Sequence, residues 1–164
     1  MLNVIHIFDP KKSFINELPG SWCDNIITNS NKPYIPIDKS TSPPSLMLDS
    51  KKDKDYFIGV LPISRDWKET DLSGYRELKF TMMTSKTDFP MVLVQLTSGN
   101  GDKESDSNTV DLCKCGLSEY STQEFTIDLN EFNQDKFNIR EARLIKFIGQ
   151  GNFCISLSNI TIQR

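Results

Sequence analysis

Apolar and polar residues alternate along much of the second half of the chain. The segments 123–129, 142–148 and 153–157 each place apolar residues two positions apart. In an extended strand this spacing turns one face toward a core and leaves the other face open to water or a ligand. Several such segments separated by Gly, Asn and Asp turns are typical of an antiparallel sandwich. The pattern therefore predicts an all-β fold.

Ten strands are predicted when the same criteria are applied to the whole chain. They cover residues 2–8, 21–28, 45–49, 56–63, 77–84, 90–98, 108–113, 123–129, 142–149 and 153–163. No segment keeps a helical period for three turns, and 131–140 allows one short turn of helix at most. Neither a repeat nor a low-complexity linker divides the chain. We therefore predict a single antiparallel β-sandwich domain over residues 1–164.

The alternation also predicts which side chains form the core. The residues expected to be buried are Phe80, Val94, Phe125, Ile127, Phe147 and Ile155. At Ser158 and Asn159 the alternation slips by one residue before Ile160 and Ile162 resume it, which is what a β-bulge produces.

The opposite strand faces carry polar side chains that are candidates for binding a ligand. Lys79, Gln95 and Asp111 are predicted to lie on the floor of one concave sheet, with Tyr56 and Trp67 on or beside flanking loops. Such a floor of amides, carboxylates and hydroxyls could hold a polar ligand. A hydrated outer face is the alternative.

The charge and hydrophobicity of the chain argue against some classes of binding partner. The 164 residues carry a net charge of −3 with both signs interspersed, so no footprint for nucleic acid or an anionic membrane is expected. No stretch approaches the roughly 20 apolar residues that span a bilayer. Residues 2–8 lack the basic region and cleavage site of a secretory signal. We therefore expect a cytoplasmic protein, or an extracellular one if the chain is a domain excised from a longer protein.

Catalytic and metal sites are not predicted. The sole histidine, His6, lies in the first predicted strand, and no nucleophile or phosphate-loop motif is present. A glycosidase site stays open as an alternative, because its two acids need not be neighbours in the chain. The four cysteines, Cys23, Cys113, Cys115 and Cys154, are expected to be free thiols, with a thiolate metal site or a disulfide as alternatives.

Four segments resemble carbohydrate-binding modules that have the galactose-binding-domain-like jelly roll. They are Asp71-Leu-Ser-Gly-Tyr, followed by Leu78-Lys-Phe80; Phe125-Thr-Ile-Asp-Leu with Phe132; Leu157-Ser-Asn-Ile160; and Ser45-Leu-Met-Leu48. They occur in the order of that family and span roughly residues 40–163. The resemblance implies a jelly-roll sandwich.

The chain departs from this family at three positions. Thr122 stands where the family frequently has tryptophan, Asp128 where it has proline, and Ser158 where it has an aspartate that helps to hold a structural calcium. A hydroxyl is a poor substitute for a carboxylate around Ca²⁺. A structural calcium is therefore not predicted, although Asp9 could be a remaining ligand.

The resemblance implies non-catalytic carbohydrate binding. A sugar site needs an aromatic platform together with amides or carboxylates. Tyr56 and Trp67 would supply the platform, and Lys79, Gln95 and Asp111 the polar groups. The alternative is a protein-interaction or accessory domain on the same fold. Either would act as a monomer or as one domain of a larger chain.

Overall fold

The computed structural model describes residues 3–11, 21–24, 35–50, 56–64, 66–84, 91–115, 121–151 and 153–164, with the backbone alone for 22–24. Twelve strands lie in these residues: β1 (Val4–Phe8), β2 (Trp22–Asp24), β3 (Ile37–Asp38), β4 (Ser45–Asp49), β5 (Tyr56–Pro62), β6 (Glu77–Thr84), β7 (Met91–Ser98), β8 (Ser105–Asp106), β9 (Val110–Asp111), β10 (Gln123–Asp128), β11 (Ala142–Gln150) and β12 (Cys154–Gln163).

The strands form two antiparallel sheets. Sheet I has the order β10-β6-β12-β4-β3, with β1 paired to the second half of β12. Sheet II has the order β2-β5-β11-β7-β8, with β9 also paired to β7. The apolar face of each sheet covers that of the other, since neither can bury its apolar side chains alone. The predicted antiparallel β-sandwich is confirmed.

Each of the ten predicted strands overlaps a strand of the structure, although parts of 2–8, 21–28 and 90–98 lie outside the described residues. Two short strands, β3 and β8, were not predicted. Within the described residues the only helices are 3-10 turns, at Gly101–Lys103, Leu112–Cys115, Leu129–Glu131 and Ile139–Glu141. The predicted strand 108–113 is shorter than expected, because the chain forms a 3-10 turn at Leu112–Cys115.

All six predicted core residues are buried: Phe80, Val94, Phe125, Ile127, Phe147 and Ile155. The Phe80 ring stacks on Phe125 with 5.5 Å between centroids and meets Phe147 edge-on at 5.2 Å. Phe125 belongs to sheet I and Phe147 to sheet II. This trio therefore joins the two sheets, and each large buried side chain contributes on the order of 1.5–3 kcal/mol.

The predicted β-bulge in β12 is confirmed. The register with β6 shifts between Ser158 and Thr161, and Asn159 takes a left-handed φ of 52°. Asparagine tolerates that conformation better than most residues. Ser158 and Thr161 consequently both lie on the outer side of sheet I, where both are nevertheless buried, while Ile160 and Ile162 return to the core.

Candidate functional site

The outward side chains of sheet II lie in rows that the strand register defines. The middle rows place Ile58, Ile148, Leu93 and Asp111 side by side, and then Val60, Lys146 and Gln95. The end rows hold Tyr56, Gln150 and Met91 at one edge, and Pro62, Leu144, Thr97 and Asp106 at the other. Of the last four only Asp106 is exposed, because Pro62, Leu144 and Thr97 are buried. We call this surface the sheet II face.

A polar cluster occupies one half of the sheet II face. Lys146 Nζ lies 2.9 Å from Asp106 Oδ1, and Thr97 Oγ1 donates to the same oxygen at 2.6 Å. Gln95 Nε2 donates to the carbonyl of Ser107 at 2.8 Å. Within the described residues the Gln95 Oε1 atom accepts no hydrogen bond, so it is available to a ligand donor.

Asp106 is held in its charged form by these contacts. Partial burial alone would raise the pKa of this carboxyl, but the hydrogen bonds from Thr97 and Lys146 outweigh it, and the pKa lies below its usual value. The Asp106 side chain is still 46% exposed, whereas that of Lys146 is 19% exposed. A ligand therefore reaches the carboxylate more readily than the ammonium group.

Asp111 lies at the edge of the same face. Its Oδ1 accepts a hydrogen bond from the backbone N–H of Cys113 at 2.9 Å. That hydrogen bond stabilises the start of the Leu112–Cys115 turn. Asp111 lies next to Leu93 of β7. Asp111 thus has a structural hydrogen bond and remains half-buried at the surface.

An apolar row crosses the face beside the polar cluster. Ile58, Ile148 and Leu93 are neighbours on three adjacent strands and are half-buried. Met91, in the next row, is 39% exposed. On β11 the apolar Ile148 stands two residues from Lys146, and on β7 Leu93 stands two residues from Gln95. The face therefore presents apolar and polar groups side by side.

The two predicted aromatic residues do not form one platform. Tyr56 begins β5, and Trp67 lies in the loop beyond the other end of that strand. The six residue-to-residue steps from Tyr56 to Pro62 rise about 20 Å. Trp67 takes a left-handed φ of 62°, and its N–H donates to the carbonyl of Ser64 at 2.9 Å. Both side chains are half-buried, at opposite ends of sheet II.

The prediction that Lys79 shares a floor with Gln95 and Asp111 is wrong. Lys79 belongs to β6 of sheet I and pairs with Glu77 at 3.4 Å on the outer face of that sheet. Gln95 and Asp111 lie on the opposite side of the sandwich. Alternation separates inward from outward residues, but it does not say which sheet a strand joins.

Sequence reasoning missed Lys146, Asp106 and Thr97 as candidate site residues. The sequence could have identified Lys146, because it is the only charged residue of the predicted strand 142–149 besides Arg143. It could not have identified Asp106, since the two-residue strand β8 has no detectable alternation. The contact between them spans 40 positions of sequence.

The cysteines and the candidate calcium ligands lie in separate parts of the structure. Cys113 and Cys115 are exposed and Cys154 is half-buried, and burial raises the pKa of the Cys154 thiol to about 12. Asp9 Oδ1 accepts a hydrogen bond from the backbone of Lys11, and Ser158 Oγ donates to the carbonyl of Pro44. Among the described residues no three His, Cys, Asp or Glu side chains are grouped to hold a metal ion. The metal-free state remains a prediction.

In the part of the chain that the structure describes, no helix is long and apolar enough to cross a bilayer.

Solved structures with this fold include carbohydrate-binding modules. The family 30 module of the cellulosomal cellulase Cel9D-Cel44B of Clostridium thermocellum matches with a TM-score of 0.80 at 17% identity, over 99% of this chain and 98% of that one. The family 11 module of the same organism, in complex with a β-1,3-1,4-mixed-linked tetrasaccharide, matches with a TM-score of 0.55 at 11% identity, over 99% and 96%. No family model and no curated protein matches the chain.

An exo-β-agarase also matches, with a TM-score of 0.63 at 14% identity. The match covers 96% of this chain but 24% of the agarase chain. The fold thus corresponds to about a quarter of that enzyme. These similarities confirm the predicted carbohydrate-binding-module fold.

Proposed function

We propose that the chain is a non-catalytic module that binds a neutral glycan along the sheet II face. A sugar ring exposes C–H patches on its faces and hydroxyl groups around its edge. The apolar row of Ile58, Ile148 and Leu93 can pack against the C–H patches. The adjacent Gln95 and Asp106 can form hydrogen bonds with the hydroxyl groups. This juxtaposition of apolar and polar rows is the observation that carries the proposal.

The shape of the surface favours a chain of sugars over a single unit. The accessible rows extend along the strands from Tyr56 to the level of Lys146 and Asp106, because Pro62, Leu144 and Thr97 in the last row are buried. Donors and acceptors are distributed along this length, with Gln150 near Tyr56, and Lys146 and Asp106 toward the far end. A linear oligosaccharide lying along the strands would contact several rows at once.

The fold supports a β-linked glucan as the ligand class. The modules of similar structure include one solved with a mixed-linked β-1,3-1,4 tetrasaccharide. We expect a modest affinity, with a Kd from about millimolar to micromolar, because the hydroxyls of the ligand and the polar groups of the face must both shed water.

Affinity electrophoresis in a gel that contains mixed-linked β-1,3-1,4-glucan tests the proposal. The protein should be retarded, and Lys146→Met should weaken binding about tenfold, which corresponds to about 1.4 kcal/mol. Methionine keeps the apolar stem of the lysine and removes only the ammonium group. The melting temperature of the variant should be measured alongside.

Lys79→Met is the matched control, because it makes the same change on the opposite sheet. It should leave retardation unchanged. An equal loss of glucan binding in both variants would mean that the binding site lies outside the sheet II face. The absence of retardation in every neutral glucan would favour the protein-docking alternative instead.

A further inference from the structure

The side of the sandwich opposite the sheet II face carries a cleft. This cleft, of about 270 Å³, indents the outer face of sheet I. Its floor includes Thr81 and Met83 of β6 and Ser156 and Ser158 of β12, and residues 41–43 form one wall. We call it the sheet I cleft. It shares no residue with the sheet II face.

The register explains the floor. Ser156 pairs with Met83, and Ser158 pairs with Thr81, so three hydroxyls and one thioether lie on two neighbouring strands. Adjacent strands lie about 4.8 Å apart, and outward residues on one strand lie about 7 Å apart. The four floor side chains therefore lie on a grid of about the size of a sugar ring.

Hydrogen bonds hold the wall in place. Asp38 Oδ1 accepts from both the backbone N–H and the hydroxyl of Ser40, at 2.9 and 2.6 Å. Thr41 Oγ1 donates to the carbonyl of Asp38 at 3.0 Å and lies 2.9 Å from Ser45 Oγ. Ser158 Oγ donates to the carbonyl of Pro44 at 3.3 Å. A wall that is already ordered loses little entropy when a ligand binds.

The described lining is neutral, and most of the surface that it exposes is apolar, with a few hydroxyls between the apolar groups. Of the ten lining residues that the structure describes, seven are serine or threonine, and the other three are Pro43, Met82 and Met83. Among the described lining residues none is charged, so none of these side chains offers a cation for an anion or a carboxylate for a metal ion. Within the described residues the hydroxyls of Thr81 and Ser156 make no hydrogen bond to protein, and a ligand can engage them.

We propose that the sheet I cleft binds one neutral pyranose ring, as a free sugar or as the end of a glycan. Pro43 and Met83 would cover a C–H face of the ring, and the Thr81 and Ser156 hydroxyls would bond its edge. The volume is below the about 300–1,000 Å³ of sites for drug-sized ligands. Thr122 and Ser158, two of the positions at which the chain departs from the family it resembles, both line the cleft and leave it open.

Methionine methyl NMR separates this site from the sheet II face. Met83 lines the cleft, whereas Met91 is exposed on sheet II. With methyl-labelled methionine, D-glucose or D-galactose should shift the Met83 signal in a saturable manner, with a Kd in the millimolar range. A mixed-linked β-glucan tetrasaccharide should shift Met91, and a shift of Met83 by this probe as well would show that the cleft accepts a chain end.

Two variants test the cleft directly. Thr81→Val preserves the shape of the side chain and should weaken monosaccharide binding about fivefold, as expected for one lost hydrogen bond. Ser156→Tyr should abolish it by filling the cleft. Thr126→Val, on the same sheet face but outside the cleft, should change nothing.

The proposal is overturned if neither monosaccharide moves Met83, if they move Met91 alone, or if the Met83 shift persists unchanged in both Thr81→Val and Ser156→Tyr. Thr81→Val keeps the test decisive if Ser156→Tyr does not fold. A missing Met91 response to the tetrasaccharide would count against the sheet II site and not against the cleft.

Discussion

The two outer faces of the sandwich are built by the same alternation but carry different chemistry. The sheet II face combines an aliphatic row, Ile58, Ile148 and Leu93, with the Lys146–Asp106 ion pair. The outer face of sheet I carries hydroxyls around a cleft, and its lysine, Lys79, is paired with Glu77 on the same strand. An extended surface suits a chain of sugars, and a walled cleft suits a single ring. The difference shows that an outward polar pattern identifies a surface without identifying its ligand.

The shared core is where the largest effect is expected, because it supports both faces. Phe125→Ala should lower the free energy of unfolding by about 3–5 kcal/mol, since Phe125 is 6% exposed and stacks on Phe80. Urea denaturation measures this change. Thr126→Ala, the exposed neighbour on β10, should change stability by no more than about 0.5 kcal/mol. A loss below about 1 kcal/mol in Phe125→Ala would mean that β10 is turned the other way.

Sheet II should tolerate added volume less well at Gly149 than at Gly59. A Cβ on Gly149 would lie 2.1 Å from the Phe57 ring, and one on Gly59 would lie 2.7 Å from the methyl groups of Leu48. A ring packed against Phe153 moves less easily than the end of a leucine. Gly149→Ala should therefore cost about 1–3 kcal/mol, and more than Gly59→Ala, in thermal unfolding. The reverse order would show that the sheets are packed most tightly between Gly59 and Leu48.

Gln95 should contribute to both stability and binding. Its hydrogen bond to Ser107 holds the segment next to β8, so Gln95→Ala should lower stability by about 0.5–1.5 kcal/mol. Glucan binding should weaken as well. Gln150→Ala is the matched control for stability, because this exposed glutamine makes no side-chain hydrogen bond within the described residues. A full loss of binding with no loss of stability would show that the contact to Ser107 is not formed in solution.

The smallest expected effect is on the pH dependence of the folding stability, to which one carboxylate on each face should contribute with opposite sign. The pKa of Asp106 is lowered, because its hydrogen bonds outweigh its desolvation, so this residue stabilises the fold above its unfolded pKa of about 3.9. That contribution is lost as the pH falls through the lower folded pKa. Asp106→Asn should therefore be less stable than the parent at neutral pH and equal to it in strong acid.

Asp49, on the outer face of sheet I, should behave in the opposite way. Desolvation raises the pKa of this carboxyl despite a backbone hydrogen bond from Ser50, so its charged form disfavours the fold. Asp49→Asn should be slightly more stable than the parent at neutral pH, and the gain should vanish below the unfolded pKa. Melting temperatures from pH 7 down to about pH 3 check both variants. Parallel pH profiles would contradict the difference between the faces.

The candidate site could be predicted only in part. Gln95 and Asp111 were identified as outward polar residues and lie on one face, and Tyr56 begins a strand of the same sheet. Trp67 lies beyond the opposite end of that strand, and Lys79 is on the other sheet. Lys146 and Asp106 form the ion pair of the face, yet no local feature of the sequence connects residues 40 positions apart.

The sequence by itself determined the all-β class, the location of the longer strands, the buried set from Phe80 to Ile155, and the bulge at Ser158. These properties follow from which side of a strand a residue occupies, and neighbouring residues record that directly. Only the tertiary structure decided that β6 and β7, consecutive in the chain, belong to different sheets, and that β11 lies between β5 and β7. Strand partners are chosen by packing between distant segments, so the composition of each face is a property of the assembled sandwich.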